Sequence, residues 1–481
     1  MIFNPDFQYR YTIIRGKAQS ILDSLLPAYT NIIMNSCPCS ADDFTVNFNR
    51  RLSEILNCTE KKTLDNHRTE IAGKLFGMWL EDSTGTIHAT QRTFFLAETS
   101  DNPAFFKDLL YKFQFPSGME KTQTIAGHVA NQICLRPGIF LVQLLYLASQ
   151  ENIVLYRREL WYYVLNALEV LQGRITPKDV LTRILCDRQD KIYKDVLIPN
   201  GKGYSFAKQH LKEFINLLEL ANLIYVDAHD GEKVVWLNLR EAKTIELFCK
   251  EEYSNLKVNP YNYNWDKPNA HKTYVMDWMA YFGSIDDSIS AFKTRIEDLQ
   301  IELKQDEAEV EEKGAEQTIA ASLTTEAAKK ISTLATGDAG EVFAFEYEKK
   351  RVGRFNTRLR NKVIHLGKQR GLGYDISSIK AIRGNDAEHA IFIEVKTSLR
   401  VTSPEKSTLT DQVYMTRNEW VAAEQHRNNY YIYRVYISRE KTIIFRLQNP
   451  VGMRESGIIF AEPTQYRVEF SGTSGDFLDE I

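Results

Sequence analysis

Residues 389–401 read HAIFIEVKTSLRV, and this stretch decides how the rest of the 481-residue chain is interpreted. Its β-branched and aromatic residues predict a strand. Because side chains alternate across a strand, the apolar residues at every second position share one face, while Glu394 and Lys396 emerge together on the other, next to Phe392. An acid and a lysine among apolar neighbours are costly to bury unless they pair with each other or bind a cation.

Metal-dependent phosphodiester cleavage is a reaction that uses an acid and a lysine placed side by side. Asp375 lies in the preceding segment, VIHLGKQRGLGYDISSIKAI (residues 363–382), which predicts further strands of the same sheet. Two carboxylates from adjacent strands hold a hard divalent cation through oxygen, and a nearby lysine orients the attacking water. We therefore expect Asp375, Glu394 and Lys396 to form one site. Two alternatives stay open: an ion pair on a solvent-facing edge strand, and a nuclease fold without activity.

The same residues resemble the PD-(D/E)XK nuclease superfamily, with Tyr374 where that family loosely keeps a proline. Five ordered segments look like the nuclease-like domain at the C-terminus of the plant NO VEIN protein and in bacterial defence proteins, over residues 335–440. They are Gly340-Glu341, Gly373-Tyr374-Asp375-Ile376 with Ser378, Ile393-Glu394-Val395-Lys396-Thr397, Thr416-Arg417-Asn418-Glu419-Trp420, and Asn429-Tyr430-Tyr431-Ile432-Tyr433-Arg434-Val435.

The resemblance implies roles for four charged residues of these segments. Asp375 and Glu394 would be ligands of Mg²⁺, Lys396 the catalytic lysine and Glu341 an additional acid of the active site. Its restriction-endonuclease-like α/β fold would occupy residues 331–481.

A basic run lies between Glu341 and Asp375. Residues 349–370 contain nine Lys or Arg and no acid, although the net charge of the whole chain is only −3. A solvated helix face usually balances its charges, so this run predicts contacts with DNA phosphates, which carry no sequence information. The residues expected to make these contacts are Arg354, Arg358, Arg360, Lys362, Lys368 and Arg370.

Residues 1–138 are expected to form a mixed N-terminal domain that takes part in DNA recognition. Within it, LFGMWLEDSTGTIHATQRTFFLAE (residues 75–98) predicts two strands around the turn-forming cluster from Asp82 to Gly85. Arg136-Pro137-Gly138 marks its end. No motif in residues 1–138 predicts a chemical role, so the assignment of this block to DNA recognition rests on the domain architecture alone.

Residues 139–284 have the element order of a winged helix. Three helices are predicted, one of them opened by an N-cap Thr176 with Pro177 at its first position, then a fourth from Ser205 and a hairpin around Asp230-Gly231. Winged helices lay one helix in a DNA major groove but also serve as protein-interaction modules, and both alternatives stay open. The expected DNA contacts lie near the start of the fourth helix: Lys202, Ser205, Lys208, Gln209 and Lys212.

Residues 285–330 are expected to form a helical linker. From Ile285 to Val310 apolar residues recur at steps of three and four on a charged helix, with Asp306 breaking the series. Such a seam fits a dimeric coiled coil or a connector packed on its own protein.

Composition excludes several classes of protein. A hydrophobic fraction of 43% with 26% charged residues is that of a folded multidomain protein. No apolar run is long enough for a membrane helix, and the N-terminus does not look like a signal peptide, so we expect no membrane association and a cytoplasmic location. The six cysteines are scattered and are expected to be reduced. A GxxxxGK[ST] phosphate loop is absent, which argues against ATP-driven translocation.

The chain is thus expected to be a multidomain α/β (α+β) protein and a magnesium-dependent, site-specific endonuclease of double-stranded DNA. Separate recognition and cleavage domains look like the layout of type IIS restriction endonucleases. Because one active site cuts one strand, a double-strand break requires a homodimer during cleavage or sequential nicking. Three rivals remain: a modification-dependent restriction enzyme, a non-catalytic winged-helix DNA-binding protein, and a defence component acting on RNA or through partner proteins.

Overall fold

The computed structural model describes residues 19–192, 212–229, 232–299, 336–367, 372–381, 389–404 and 411–462. The chain divides into two compact units. The first contains Met1–Phe343, Thr397–Tyr414 and Val435–Ile444, and the second contains Ala344–Lys396, Met415–Arg434 and Phe445–Ile481. Helices and short sheets occur in both parts of the sequence, so the fold is α+β, as the sequence predicts. Among the described residues, none of the helices combines the length and the apolar character that a membrane span requires.

The N-terminal part is mainly helical. Its α-helices are α1 (Gln19–Ser36), α2 (Ala41–Leu56), α3 (Lys61–Asp65), α4 (Gln91–Thr99), α5 (Asn102–Lys112) and α6 (Thr122–Ala130), with a π-helix at Asn66–Leu75 after α3. A three-stranded sheet accompanies them in the order β1 (Cys39–Ser40), β3 (Thr86–Ala89), β2 (Trp79–Glu81).

The predicted hairpin of this part is confirmed. Trp79 pairs with Ala89 and Glu81 with Ile87 in antiparallel register. The Asp82 carboxylate accepts the backbone N–H groups of the turn, including that of Thr84 at 2.8 Å. A turn-forming acid followed by glycine therefore closes the two strands, as expected for this sequence.

The next part begins with the apolar helix α7 (Pro137–Gln150) and continues with further short elements. These are β4 (Leu155–Tyr156), α8 (Arg157–Glu159), a π-helix at Leu160–Leu165, α9 (Leu168–Leu171), α10 (Pro177–Gln189), α11 (helical over 212–220), β5 (Ile224–His229), β6 (Glu232–Leu237), α12 (Ala242–Lys250), a 3₁₀ turn at Pro260–Asn262 and α13 (Ala270–Gly283).

Two local predictions for this part are confirmed. The hydroxyl of Thr176 accepts the Asp179 N–H and caps α10, with Pro177 at the first helical position. Strands β5 and β6 pair from Ile224↔Leu237 onward as an antiparallel hairpin. With β4 they form a sheet in the order β4-β6-β5.

The continuous helix predicted from Ile285 is wrong for residues 285–299. The structure has two short helices there, α14 (Ile289–Phe292) and α15 (Ile296–Leu299), separated by three non-helical residues. Phe292, Ile296 and Leu299 of these helices are buried, and Lys107 of α5 donates to the Phe292 carbonyl at 3.2 Å. Contacts with the chain's own N-terminal helices therefore override the helical spacing. Residues 300–330 lie outside the described residues.

The C-terminal part contains a five-stranded sheet in the order β11-β10-β9-β8-β7. Its strands are β7 (Ile364–His365), β8 (Ile376–Ile379), β9 (Ala390–Leu399), β10 (Tyr430–Ile437) and β11 (Thr442–Gln448). Helices α16 (Thr336–Phe355), α17 (Arg417–His426) and α18 (Pro450–Glu455), with 3₁₀ turns at Thr357–Lys362 and Arg427–Asn429, complete this part. The predicted strand at 389–401 is thus β9, the central strand.

Candidate active site

Strand β9 holds two charged side chains side by side, Glu394 buried and Lys396 partly buried. Lys396 Nζ lies 2.7 Å from Glu394 Oε1, and Glu394 is only 4% exposed. The apolar residues of the opposite face, Ile391 and Ile393, are buried as the alternation predicts. Because β9 is central and Glu394 is buried, an ion pair on a solvent-facing edge strand is excluded.

Lys396 has a second acidic partner that the sequence reasoning did not assign. Its Nζ donates to Glu419 Oε2 at 2.8 Å. Glu419 is the third residue of α17, where its carboxylate also accepts the Thr416 N–H at 3.0 Å while the Thr416 hydroxyl accepts the Glu419 N–H. This reciprocal capping box is visible in the sequence as Thr-x-x-Glu and fixes the acid at the helix start. Its contact with Lys396 requires the tertiary structure.

Asp375 is held against the same strand. Its Oδ2 accepts the backbone N–H of Val395 at 2.7 Å, and its own N–H donates to the Ile393 carbonyl at 2.9 Å. Val395 is the residue between Glu394 and Lys396. Asp375 therefore joins β9 at the two charged residues, so the structure brings the three residues together, and their catalytic and metal-binding roles stay predictions.

Gly373 sets the path of the chain into Asp375. Its φ of +76° favours glycine, and a Cβ there would lie 2.5 Å from the Asn418 carbonyl oxygen of α17. The Tyr430 hydroxyl of β10 donates to the Gly373 carbonyl at 2.8 Å. A glycine is thus needed for α17, which carries Glu419, to approach the loop that carries Asp375.

The site has more negative than positive charge. Burial raises the pKa of Glu394 to about 8; Lys396 opposes this rise, whereas Asp375 and Glu419 add to it. Burial alone would lower the pKa of Lys396, but Glu394 and Glu419 raise it above its ordinary value. Lys396 is therefore a cation held between two acids, with a third carboxylate beside them.

A second buried acid fastens helix α16 to the sheet. The Glu348 carboxylate accepts the hydroxyls of Ser378 at 2.6 Å and Tyr433 at 2.7 Å, and it pairs with Arg351 at 2.7 Å. Ser378 belongs to β8, which begins directly after Asp375. The cluster fixes α16 to β8 and β10, and sequence reasoning named only the serine and the tyrosine, as parts of a motif.

Glu341 belongs to the first unit, whereas Asp375, Glu394 and Lys396 belong to the second. It lies on α16 and is partly buried. Its neighbour Gly340 packs against β9, because a Cβ there would lie 1.9 Å from the Thr397 hydroxyl oxygen. The role of Glu341 as an additional acid stays a prediction.

The residues fit a divalent cation of the magnesium type. Among the described residues no group of three or more His, Cys, Asp and Glu is placed to hold a metal. Mg²⁺, however, usually takes one or two carboxylates and keeps several waters. Asp375 and Glu394 supply such a pair. Burial, and to a lesser extent the charges of Asp375 and Glu419, raise the pKa of Glu394, and a bound cation would favour its ionised form.

The predicted DNA contacts are only partly described. Arg354, Arg358, Arg360 and Lys362 are exposed on the end of α16 and the following 3₁₀ turn, and Lys212 is exposed on α11. An exposed basic run without acids suits phosphate contacts. The remaining candidates lie outside the described residues: Lys202, Ser205, Lys208, Gln209, Lys368 and Arg370.

Comparison with known proteins gives matches to both parts of the chain. The family model for the N-terminal part of restriction endonuclease BpuJI matches residues 3–279, and that for the C-terminal part of protein NO VEIN matches residues 340–447. One similar solved structure is the crystal structure of pyrene- and phenanthrene-modified DNA in complex with the BpuJ1 endonuclease binding domain. Its protein chain is 45% identical in sequence to this chain and superposes with a TM-score of 0.54. The match covers 59% of this chain and 100% of that one. A comparison with curated proteins gives no match.

These matches place the chain in the class of restriction-type endonucleases. It belongs to the family defined by the N-terminal part of restriction endonuclease BpuJI, whose model spans more than half of its residues. The predicted resemblance to the NO VEIN C-terminal domain is also confirmed.

Proposed function

We propose that this protein is a magnesium-dependent, site-specific endonuclease of double-stranded DNA with the type IIS layout. The observation that carries the proposal is Lys396, held 2.7 Å from Glu394 and 2.8 Å from Glu419 on a buried central strand beside Asp375. An acid pair with a positioned lysine is the residue set that phosphodiester hydrolysis uses.

The chain's own residues have distinct tasks in this reaction. Lys396, kept charged by its two acids, orients the attacking water and offsets negative charge at the phosphate. Glu419 would keep the ammonium group in place if Glu394 held the metal. Held by Asp375 and Glu394, Mg²⁺ would acidify a bound water and stabilise charge on the scissile phosphate.

DNA recognition is assigned to the N-terminal part, in the proposed domains 1–138 and 139–284. The 45% identical structure is of a binding domain in complex with DNA, which supports a DNA-binding role here. Helices α7 to α11, followed by the β5-β6 hairpin that pairs with β4, support a winged helix in the second of these domains. Its proposed DNA contacts include Lys208, Gln209 and Lys212. The domain of residues 331–481 is proposed to cut the DNA, and residues 285–330 are proposed to link it to the recognition domains.

The test is cleavage of a mixed-sequence phage genome by purified protein, with Mg²⁺ or with EDTA, beside Lys396→Ala and the surface control Lys441→Ala. Discrete fragments that need Mg²⁺ and Lys396, but not Lys441, are expected. A Lys396→Ala protein that cuts like the wild type would refute the assignment. Intact plain DNA together with cut methylated DNA would replace it with a modification-dependent enzyme.

A double-strand break needs two active sites or two successive cuts, and we propose a homodimer during cleavage. Sedimentation of Lys396→Ala on target duplex with Mg²⁺ should give two protein chains per complex. A nicked intermediate that accumulates before full cleavage, on complexes with one chain, would contradict the homodimer.

A further inference from the structure

The end of the catalytic strand is fastened by residues far away in sequence. Strand β9 begins in the second unit and passes at Thr397 into the first, which also contains helices α1 and α4. There the Leu399 N–H donates to the Ser100 carbonyl at 3.0 Å, at the C-terminal end of α4. Leu399 is three residues beyond Lys396, roughly 10 Å along a strand.

Asp23 of α1 makes the second attachment. Its Oδ2 accepts the Thr402 N–H at 3.1 Å and the Thr402 hydroxyl at 2.8 Å, and its Oδ1 accepts the Asn102 amide at 3.1 Å. The carboxylate thus joins the chain that leaves β9 to the start of α5. Arg439, in the turn between β10 and β11, attaches the same sheet again by donating to Asn222 at 2.7 Å.

The region where Asp23 contacts the chain after β9 is both buried and charged. Asp23 and Arg400 are both 0% exposed, and the Arg400 guanidinium lies 3.5 Å from Asp411 and 4.8 Å from the Tyr436 ring centre. Burying charges is costly, and apolar side chains would fill the same space at lower cost. A buried carboxylate adds directional contacts, because its oxygens accept donors preferentially near the plane of the group.

We propose that Asp23 is a positioning residue for cleavage: by fixing Thr402 it sets where β9, and therefore Glu394 and Lys396, lie relative to Asp375. The proposal rests on the proposed nuclease function. Asp23 touches neither DNA phosphate nor metal in this scheme and acts only through the strand.

The test compares the full-length wild type with Asp23→Asn, which keeps the shape but replaces one acceptor oxygen by an NH₂ donor, and Thr402→Val, which loses only the hydroxyl. The matched control is Glu54→Gln, an acid exposed on α2. For Asp23→Asn we expect cleavage at saturating DNA to be roughly tenfold slower, the effect of weakening hydrogen bonds to a charged group, and for Thr402→Val a smaller effect in the same direction. The dissociation constant for target DNA without metal should not change.

Amide hydrogen exchange provides a readout that does not depend on cutting. Peptides covering residues 396–402 should exchange roughly tenfold faster in Asp23→Asn, because their attachment opens locally, while peptides of α12 keep their rate. Unchanged exchange at 396–402 would overturn the proposal, as would faster exchange with unchanged cleavage. Faster exchange throughout with loss of DNA binding would reduce Asp23 to a general structural role and also overturn it. If the wild type does not cut DNA, the proposed function fails and exchange alone decides whether Asp23 holds the strand.

Discussion

Lys396 contacts two acids, and the Glu394-Val395-Lys396 triplet contains only one of them. Glu419 holds the ammonium group from α17, so its loss leaves Lys396 paired with Glu394 alone. Glu419→Gln should lower the cleavage rate by about 10- to 100-fold, the usual effect of removing a partner that orients a catalytic group. DNA binding without metal should be unaffected, and both are measured on the same duplex.

Glu424→Gln provides the control for that variant. It makes the same substitution on the same helix, at an acid that accepts the Trp420 indole N–H instead of touching Lys396. Equal cleavage by the two variants would show that Glu419 has no part in the site.

Glu394 should make stability depend on pH. Its pKa of about 8 in the fold lies above its ordinary value of 4.5, so between these values the folded state keeps a proton that the unfolded state has released. Stability from this group is therefore full below pH 4.5, is lost as the pH rises to about 8, and falls by at most about 1.4 kcal/mol per pH unit.

The measurement is thermal unfolding from pH 5 to 9 in EDTA, for wild type and Glu394→Gln. The amide imitates the protonated acid and does not titrate. Wild type should lose stability relative to the variant up to about pH 8 and then level off. Parallel curves would mean that the Glu394 pKa is ordinary.

At the scale of elements, contact between α16 and β9 requires glycine. A Cβ at Gly340 would lie 1.9 Å from the Thr397 hydroxyl oxygen, whereas nothing lies within 4 Å of one at Gly337 on the same helix. Gly340→Ala should destabilise the protein by about 1–3 kcal/mol, as overpacking does, and slow cleavage by displacing the strand. Gly337→Ala should be neutral or slightly stabilising. Equal denaturation midpoints for the two variants would contradict this packing.

At the scale of the whole molecule, the small net charge does not reveal that one part of the surface is strongly basic. Arg354, Arg358 and Arg360 are exposed in a run without acids, although the chain carries a net charge of −3. Replacing Arg358 and Arg360 with glutamine should weaken binding equally on target and unrelated duplexes. The slope of log K against log salt should decrease by about 1 for each phosphate that an arginine no longer neutralises. Weaker binding of the target sequence alone would instead assign these arginines to base reading.

The sequence by itself determined the elements that depend on local patterns. Alternation of apolar residues predicts β9, Asp82 to Gly85 predicts the first hairpin, and Thr176-Pro177 predicts the start of α10, because turns, caps and strand faces are set by near neighbours. The order Asp375, Glu394, Lys396 similarly identified three residues that the sheet brings together.

Only the tertiary structure decided which groups from distant parts of the sequence contact these residues and elements. Glu419 reaches Lys396 because Gly373 lets α17 approach, Glu348 is enclosed by two strands, and Asp23 meets Thr402 from the opposite end of the chain. The helix expected from Ile285 likewise gave way to two short helices packed on the N-terminal part. Local propensity is worth a few tenths of a kcal/mol per residue, whereas burial of one large apolar side chain contributes about 1.5–3 kcal/mol, so long-range packing prevails where the two conflict.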